Sequence, residues 1–270
     1  DDDFCAKAFP GDHVKVVAAA EARRDESSPH ASWKELLQHL EQAYEFDRVV
    51  YLSNYLTPHT DTVGDIELLR SVFRTCAGRR VQLLYVAGPA GAEGAADTAG
   101  RTGKGIIAHA ANDLCRYYAA REGVQTMILR VPFLYTASAA LEDPFLVPMF
   151  DACSTGSAAL QGAQDAAFPL LCAEELSVLV RRIFDSWDGN FETLDVADTF
   201  HHTVGEVGEA LQALFPGLSV AYGDSAGYAL PASDVARVRY GWFQRYDLLR
   251  DLSTIQARWD AGRAKKVNPL

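Results

Sequence analysis

Apolar positions between residues 106 and 131 follow first a helical and then a strand pattern. From Ile106 to Glu122 they recur every three or four residues, which places them on one face of a helix. Gly123 follows at the position where a helix C-cap favours positive φ. The mostly apolar run 126–131, which ends before Pro132, is typical of a buried parallel strand. This stretch therefore predicts half of a doubly wound α/β unit.

The same alternation of strand and helix patterns extends over the rest of the chain. Before residue 106 we expect strands over 13–17, 47–53 and 81–86, with helices over 32–44 and 65–76. After residue 135 we expect a helix over 139–153, a Gly/Ser/Ala loop to 167 and a strand over 168–172. Helices over 174–187 and 203–214, strands over 191–196 and 218–222, and short helices within 234–259 follow. This alternation predicts an α/β fold, a parallel sheet with helices on both faces.

The net charge narrows the classes of partner. The 270 residues include 36 acidic and 25 basic ones, which gives a net charge of −11 and a pI near 5.1. Nucleic acids and anionic membranes both require a basic face, so neither is an expected partner. No apolar run approaches the roughly 18–20 residues of a membrane-spanning helix. The first residues lack the pattern of a signal peptide, and we therefore expect a cytoplasmic protein.

Cysteines and histidines do not indicate a metal site. The five cysteines lie far apart with no C-x-x-C pair, which is typical of buried apolar fillers in a reducing compartment. His201 and His202 are adjacent and lie near two aspartates, but neighbouring side chains diverge and no third ligand has a suitable spacing. We predict surface histidines here and no metal site.

Several motifs in a fixed order resemble one enzyme family. The run 128–136 reads ILRVPFLYT, 172–176 reads CAEEL, and 234–248 contains DVAR, YGWF and YDL before Trp259. In their order and spacing these motifs resemble the extended short-chain dehydrogenases/reductases, the NAD-dependent epimerase/dehydratase group that acts on nucleotide sugars. In that family the matching motifs read ILRP…VYG, HVDDL and a closing segment with LGW. The resemblance covers the chain from Val14 to Trp259.

The resemblance implies a Rossmann-like doubly wound parallel sheet with a smaller C-terminal α+β lobe. On this basis residues 1–135 form the Rossmann-like domain, 136–270 form the smaller substrate-lobe-like region, and 173–196 return to the first domain. The implied cofactor is NAD or NADP and the implied substrate is a nucleotide sugar. The positions that match the family's cofactor contacts are Ser53, Asn54 and Pro132, and those that match its substrate contacts are Phe133 and Tyr135.

The catalytic side chains of the family are not found at the matching positions. The family uses a Ser or Thr, a Tyr that exchanges a proton, and a Lys that lowers the pKa of that Tyr. The matching residues here are Ala87, Lys104 and Ala108. His109, beside the vacant Lys position, is the candidate for a substitute acid or base. No catalytic residue and no bound cofactor is assigned from the sequence alone.

The Gly-rich dinucleotide unit of the family is also not found. A first strand, a G-x-x-G-x-x-G turn and a helix N-terminus would hold the pyrophosphate, and no such pattern precedes His13. The chain is therefore either a degenerate relative or a fragment of an active epimerase/dehydratase with a rearranged acid/base. The vacant catalytic set favours a pseudoenzyme: a binding, regulatory or scaffold module, working as a homo-oligomer or a partner subunit.

Overall fold

The computed structural model describes residues 46–52, 62–88, 103–137, 146–160, 162–196, 199–224 and 233–267. Element labels below count the described helices and strands in chain order. The predicted strand over 13–17 and helix over 32–44, together with Ser53 and Asn54, lie outside these ranges. Contacts divide the chain into two compact units: one comprises Asp1–Leu129 and Val180–Leu194, the other Arg130–Leu179 and Asp195–Leu270.

The first unit is built on a four-stranded sheet with the order β1-β2-β3-β7. Its strands are β1 Arg48–Leu52, β2 Gln82–Ala87, β3 Gln125–Arg130 and β7 Phe191–Asp195. Strands β1 and β2 pair in parallel, with Arg48 opposite Gln82 and Leu52 opposite Val86. From the second residue to the last, β2 and β3 are buried without interruption, as expected for strands covered on both faces.

Two helices of the first unit pack on this sheet, α1 Thr62–Cys76 and α2 Gly103–Glu122. The inward faces repeat at helical spacing: Leu69, Phe73 and Cys76 in α1, and Ala111, Cys115 and Tyr118 in α2. The rings of Phe73 and Tyr118 stack at 4.7 Å, which joins the two helices. Helix α2 ends at Gly123 with φ +68°, the left-handed conformation predicted for that residue.

The second unit contains two short parallel strand pairs and most of the remaining helices. Strand β4 Phe133–Tyr135 pairs with β6 Leu170–Cys172, and β5 Ser157–Leu160 pairs with β8 Ser219–Tyr222. Its helices are α3 Leu146–Ser154, α5 Val204–Leu214, α6 Val235–Tyr240 and α7 Leu248–Val267. Helix α4 Ala173–Ser186 belongs to both units, because the boundary between them falls after Leu179. An aromatic cluster of Phe150, Phe215 and Trp259 lies in its core.

Two local predictions for the second unit were wrong. The Gly/Ser/Ala segment before Ala167 was expected to be a loop, but it contains β5, whose residues alternate between exposed and buried. Small residues hid this alternation, because Ser157, Ala158 and Ala159 differ little in hydrophobicity. The segment 234–259 was expected to form short helices. The short α6 agrees with this, but α7 is one helix of 20 residues that extends beyond Trp259.

The α/β class and the parallel, Rossmann-like sheet are confirmed. Within the described ranges, no helix is long and apolar enough to cross a membrane. The described cysteines are all free and buried, as predicted: Cys76, Cys115, Cys153 and Cys172.

Candidate functional site

The edge formed by the carboxyl ends of the strands is where open parallel sheets bind their ligands. Strand β2 reaches this edge at Ala87, which is only 3% exposed. Helix α2 begins at Gly103, so Lys104 lies in its first turn and Ala108 in its second, where Ala108 is 4% exposed. Two of the three positions predicted to match the family's catalytic residues thus hold a buried methyl group. A methyl group neither exchanges a proton nor donates a hydrogen bond.

His109 follows Ala108 on α2, and its side chain is exposed. One residue corresponds to about 100° around a helix, so His109 points away from the buried direction of Ala108. The structure therefore places the imidazole in solvent. It does not put His109 in the place of the missing lysine.

Arg130, the arginine of the ILR motif, forms a bidentate ion pair at the end of β3. Its Nε lies 2.5 Å from Asp195 Oδ1, and its Nη2 donates to Asp195 Oδ2 at 2.8 Å. The backbone N–H of Val196 donates to the Arg130 carbonyl at 2.9 Å. The two charged side chains are 10% and 17% exposed. Because planar bidentate pairing satisfies both charges, this motif residue joins β3 to β7 and is not directed at a ligand.

The predicted cofactor residue Pro132 and the predicted substrate residues Phe133 and Tyr135 follow β3 in the chain. Pro132 is buried, Phe133 is half-buried, and Tyr135 has no exposed surface. Tyr135 lies opposite Cys172 in the β4–β6 pair. Burial raises the pKa of the Tyr135 phenol well above its usual range, and the nearby Cys172 and Asp251 add to the effect. The phenol therefore stays protonated, and Tyr135 is a core residue of the second unit in this structure.

Glu175, in the CAEEL motif, is the functional position that sequence reasoning passed over. Its Oε1 accepts the backbone N–H of Arg245 at 2.5 Å, and its Oε2 accepts that of Tyr246 at 3.2 Å. Its carbonyl accepts the indole N–H of Trp242 at 3.0 Å. The Gln244 side chain donates to the Leu170 carbonyl at 2.9 Å. Together these bonds fix the closing segment 241–247, which has no regular backbone ladder of its own.

The adjacent histidines take separate roles. His202 Nε2 lies 2.7 Å from Asp247 Oδ1, and its side chain is 15% exposed. The same Asp247 oxygen accepts the backbone N–H of Leu249 at the start of α7. His201 is exposed and has φ +54°. His202 therefore supports a helix start, and no group of His, Cys, Asp or Glu among the described residues is arranged to hold a metal ion.

The strands and helices described above define a Rossmann-like α/β protein. Within it, Arg130 of the ILR motif and Glu175 of the CAEEL motif make contacts that stabilise the fold. No protein-family model matches the chain, and no curated protein matches it. Solved structures do match. The dTDP-glucose 4,6-dehydratase of Bacillus anthracis in complex with NAD has a TM-score of 0.65 at 13% identity, over 86% of this chain and 78% of that one.

Two further matches extend the range of chemistry among the neighbours. The UDP-N-acetylglucosamine 4-epimerase of Bacillus cereus has a TM-score of 0.61 at 14% identity, over 83% of this chain and 81% of that one. The GDP-mannoheptose C4 reductase of Campylobacter jejuni with NADP bound has a TM-score of 0.63 at 12% identity, over 84% of this chain and 85% of that one. The resemblance to the extended short-chain dehydrogenases/reductases is thereby confirmed for the fold, and the roles of individual site residues stay predictions.

Proposed function

We propose that this chain is a catalytically inactive epimerase/dehydratase-like protein that acts as a binding, regulatory or scaffold module. One observation carries the proposal: Ala87 and Ala108 fill two of the three family catalytic positions, and both are buried, at 3% and 4% exposure. The methyl group of an alanine neither exchanges a proton nor donates a hydrogen bond, so it does not replace the missing group.

The chemistry explains why these positions matter. Interconversion of a sugar hydroxyl and ketone needs a group that takes the hydroxyl proton as hydride leaves the carbon. The family supplies a tyrosine whose pKa is lowered by a lysine one helical turn later. Here Lys104 stands at the tyrosine position and Ala108 at the lysine position, so neither residue of the Tyr–Lys pair is present there.

A dinucleotide would also lose a contact. In the family the lysine holds the nicotinamide ribose, and the methyl group of Ala108 cannot donate to a ribose hydroxyl. The described residues therefore do not fit a catalytic NAD or NADP. Ser53 and Asn54, the remaining predicted cofactor residues apart from Pro132, lie outside the described ranges.

The test combines turnover with calorimetry. The chain is incubated with NAD⁺ or NADP⁺ and UDP-, GDP- or dTDP-sugars, and sugar products and reduced cofactor are measured. Titration calorimetry with the same compounds is run in parallel. We expect no turnover. Heat from a nucleotide sugar without heat from dinucleotides would identify a sensor, and no heat from any compound would identify a scaffold. Cofactor-dependent conversion of any sugar would overturn the proposal.

The alternative is a fragment of an active nucleotide-sugar epimerase or dehydratase with a rearranged acid/base. It is favoured by the fold shared with such enzymes, and its candidate acid or base is the exposed His109. It predicts measurable turnover that falls at least about tenfold in His109→Ala. His201→Ala, which removes another exposed imidazole, is the matched control and should retain the activity.

A further inference from the structure

A groove between α1 and α2 lies outside every site considered so far. It has a volume of about 550 Å³. Its lining residues are Arg70 and Arg74 of α1, Ala77 directly after α1, and Leu114, Tyr117, Tyr118 and Glu122 of α2. The lining comes from the C-terminal halves of the two helices. In a parallel α/β unit these helix ends lie at the edge of the sheet opposite the carboxyl ends of the strands. The groove is therefore remote from Ala87 and Ala108.

On the α1 side of the groove, the side chains of Arg70 and Arg74 are both exposed. Arg70 and Arg74 are four residues apart, so they lie one above the other on the same face of α1. Within the part of the chain that the structure describes, neither guanidinium has an ion-pair or hydrogen-bond partner. Other arginines form ion pairs, for example Arg48 with Asp185 and Arg130 with Asp195. Unpaired neighbouring guanidiniums attract a carboxylate-bearing partner.

The other wall presents an aromatic platform. Tyr117 is 54% exposed, and its ring meets Tyr118 edge-on at 5.3 Å. Tyr118 is buried and stacks on Phe73 at 4.7 Å. The exposed ring of Tyr117 is therefore supported by a ring that is itself packed in the core. Tyr and Arg are the residues most enriched at energetically dominant interface positions, and a pre-ordered aromatic ring loses little entropy on binding.

We propose that this α1–α2 groove docks an acidic segment of another protein, with an apolar side chain set against Tyr117 and Leu114 and carboxylates paired with Arg70 and Arg74. Charge selects this occupant. The chain as a whole carries −11, whereas the groove lining carries two arginines against one glutamate, Glu122, and an acidic partner complements this local excess of positive charge. A two-fold copy of the same face would instead bring four like-charged guanidiniums together, which is unfavourable. The groove is also open to solvent, which suits a peptide segment better than an enclosed small molecule.

The test uses a fluorescein-labelled helical peptide of about 12 residues in which Glu and Leu alternate at helical spacing. Its matched control carries Lys in place of every Glu. Fluorescence anisotropy with the full chain should show saturable binding of the Glu peptide that weakens as salt is raised, and none of the Lys peptide. Arg74→Glu should weaken binding about tenfold or more, and Tyr117→Ala about fivefold. Arg121→Glu, the same charge change on the exposed surface of α2 outside the groove, should leave the affinity within about twofold.

Three results would overturn the proposal. The first is equal binding of the Glu and Lys peptides, and the second is an affinity unchanged in Arg74→Glu. The third is a dimer, measured by light scattering, that dissociates in Arg70→Glu/Arg74→Glu, since a second copy would then be the occupant. All substituted side chains are exposed, and thermal unfolding of each variant verifies that the fold is retained. None of these readouts depends on turnover, so the test is independent of the proposed function.

Discussion

At the scale of single residues, two charged side chains of the family-like motifs stabilise the fold. Arg130 is engaged by Asp195, and Glu175 holds the backbone of Arg245 and Tyr246. Breaking a partly buried ion pair, or removing the acceptor of two partly buried N–H groups, costs about 1–3 kcal/mol. Both residues therefore have a structural role that is independent of any chemistry.

Glu175 gives a pH-dependent test at this scale. Burial raises the pKa of the Glu175 carboxyl, while the N–H groups of Arg245 and Tyr246 oppose that rise. Since the folded pKa lies above the unfolded one, the folded state binds the proton more tightly. The associated stability is fully present below the unfolded value of about 4.3 and is lost as pH rises through the folded value. The unfolding free energy of the parent chain relative to Glu175→Gln should therefore fall as pH rises from about 4.

Urea unfolding at a series of pH values measures this difference. Glu209→Gln, at an exposed position on α5, is the matched control and should show no comparable slope. A difference between parent and Glu175→Gln that grows with pH would mean that the hydrogen bonds outweigh burial at this carboxyl.

At the scale of elements, the local sequence of α5 determines where the helix begins, whereas its packing depends on distant residues. Thr203 caps the helix: its Oγ1 accepts the N–H of Glu206 at 3.2 Å, and Glu206 Oε2 accepts the N–H of Thr203 at 2.8 Å. Such a capping box is readable from T-x-x-E. The glycines within α5 are explained only by their neighbours, since a Cβ on Gly208 would overlap the hydroxyl of Tyr222 on β8.

Gly208→Ala should therefore destabilise the protein. At an open helical position Ala is about 1 kcal/mol more favourable than Gly. At Gly208 the new Cβ would also lie 3.1 Å from two ring carbons of Tyr222, so we expect a loss of about 1–3 kcal/mol. Removing the hydroxyl should relieve part of the overlap. In chemical denaturation, Gly208→Ala/Tyr222→Phe should consequently lose less than the two single variants added together, and strict additivity would contradict this account.

At the scale of the whole molecule, the fold and the chemistry are separable. The chain matches the fold of dehydratases and epimerases over more than four-fifths of its length, yet buried alanines occupy two of the positions predicted to match the family's catalytic residues. Fold stability depends on burial and backbone pairing throughout the chain, whereas catalysis depends on a few side chains. Replacing those few side chains can remove the activity without disturbing the scaffold.

Net charge supports a prediction for the whole molecule. With a net charge of −11, the chain should show no saturable binding to labelled duplex DNA or to anionic phospholipid vesicles at about 50 mM salt. Fluorescence anisotropy measures binding to the labelled duplex DNA, and vesicle sedimentation measures binding to the anionic phospholipid. The two arginines of the α1–α2 groove can meet one peptide's carboxylates but do not form the extended basic face that a duplex needs. Saturable binding that disappears at high salt would contradict this prediction.

The sequence by itself determined the strands of the sheet, the helices that pack on it and the turn at Gly123, and it supplied the prediction that Ala87, Lys104 and Ala108 stand at the family's catalytic positions. Each depends on residues close together in the chain, because periodicity, capping and identity at a motif position are local. Only the tertiary structure decided that β5 pairs with β8, that Glu175 holds residues 70 positions away, and that Arg70, Arg74 and Tyr117 line one groove. These features depend on which distant segments pack together, and the burial of polar groups that results is not encoded in any local pattern.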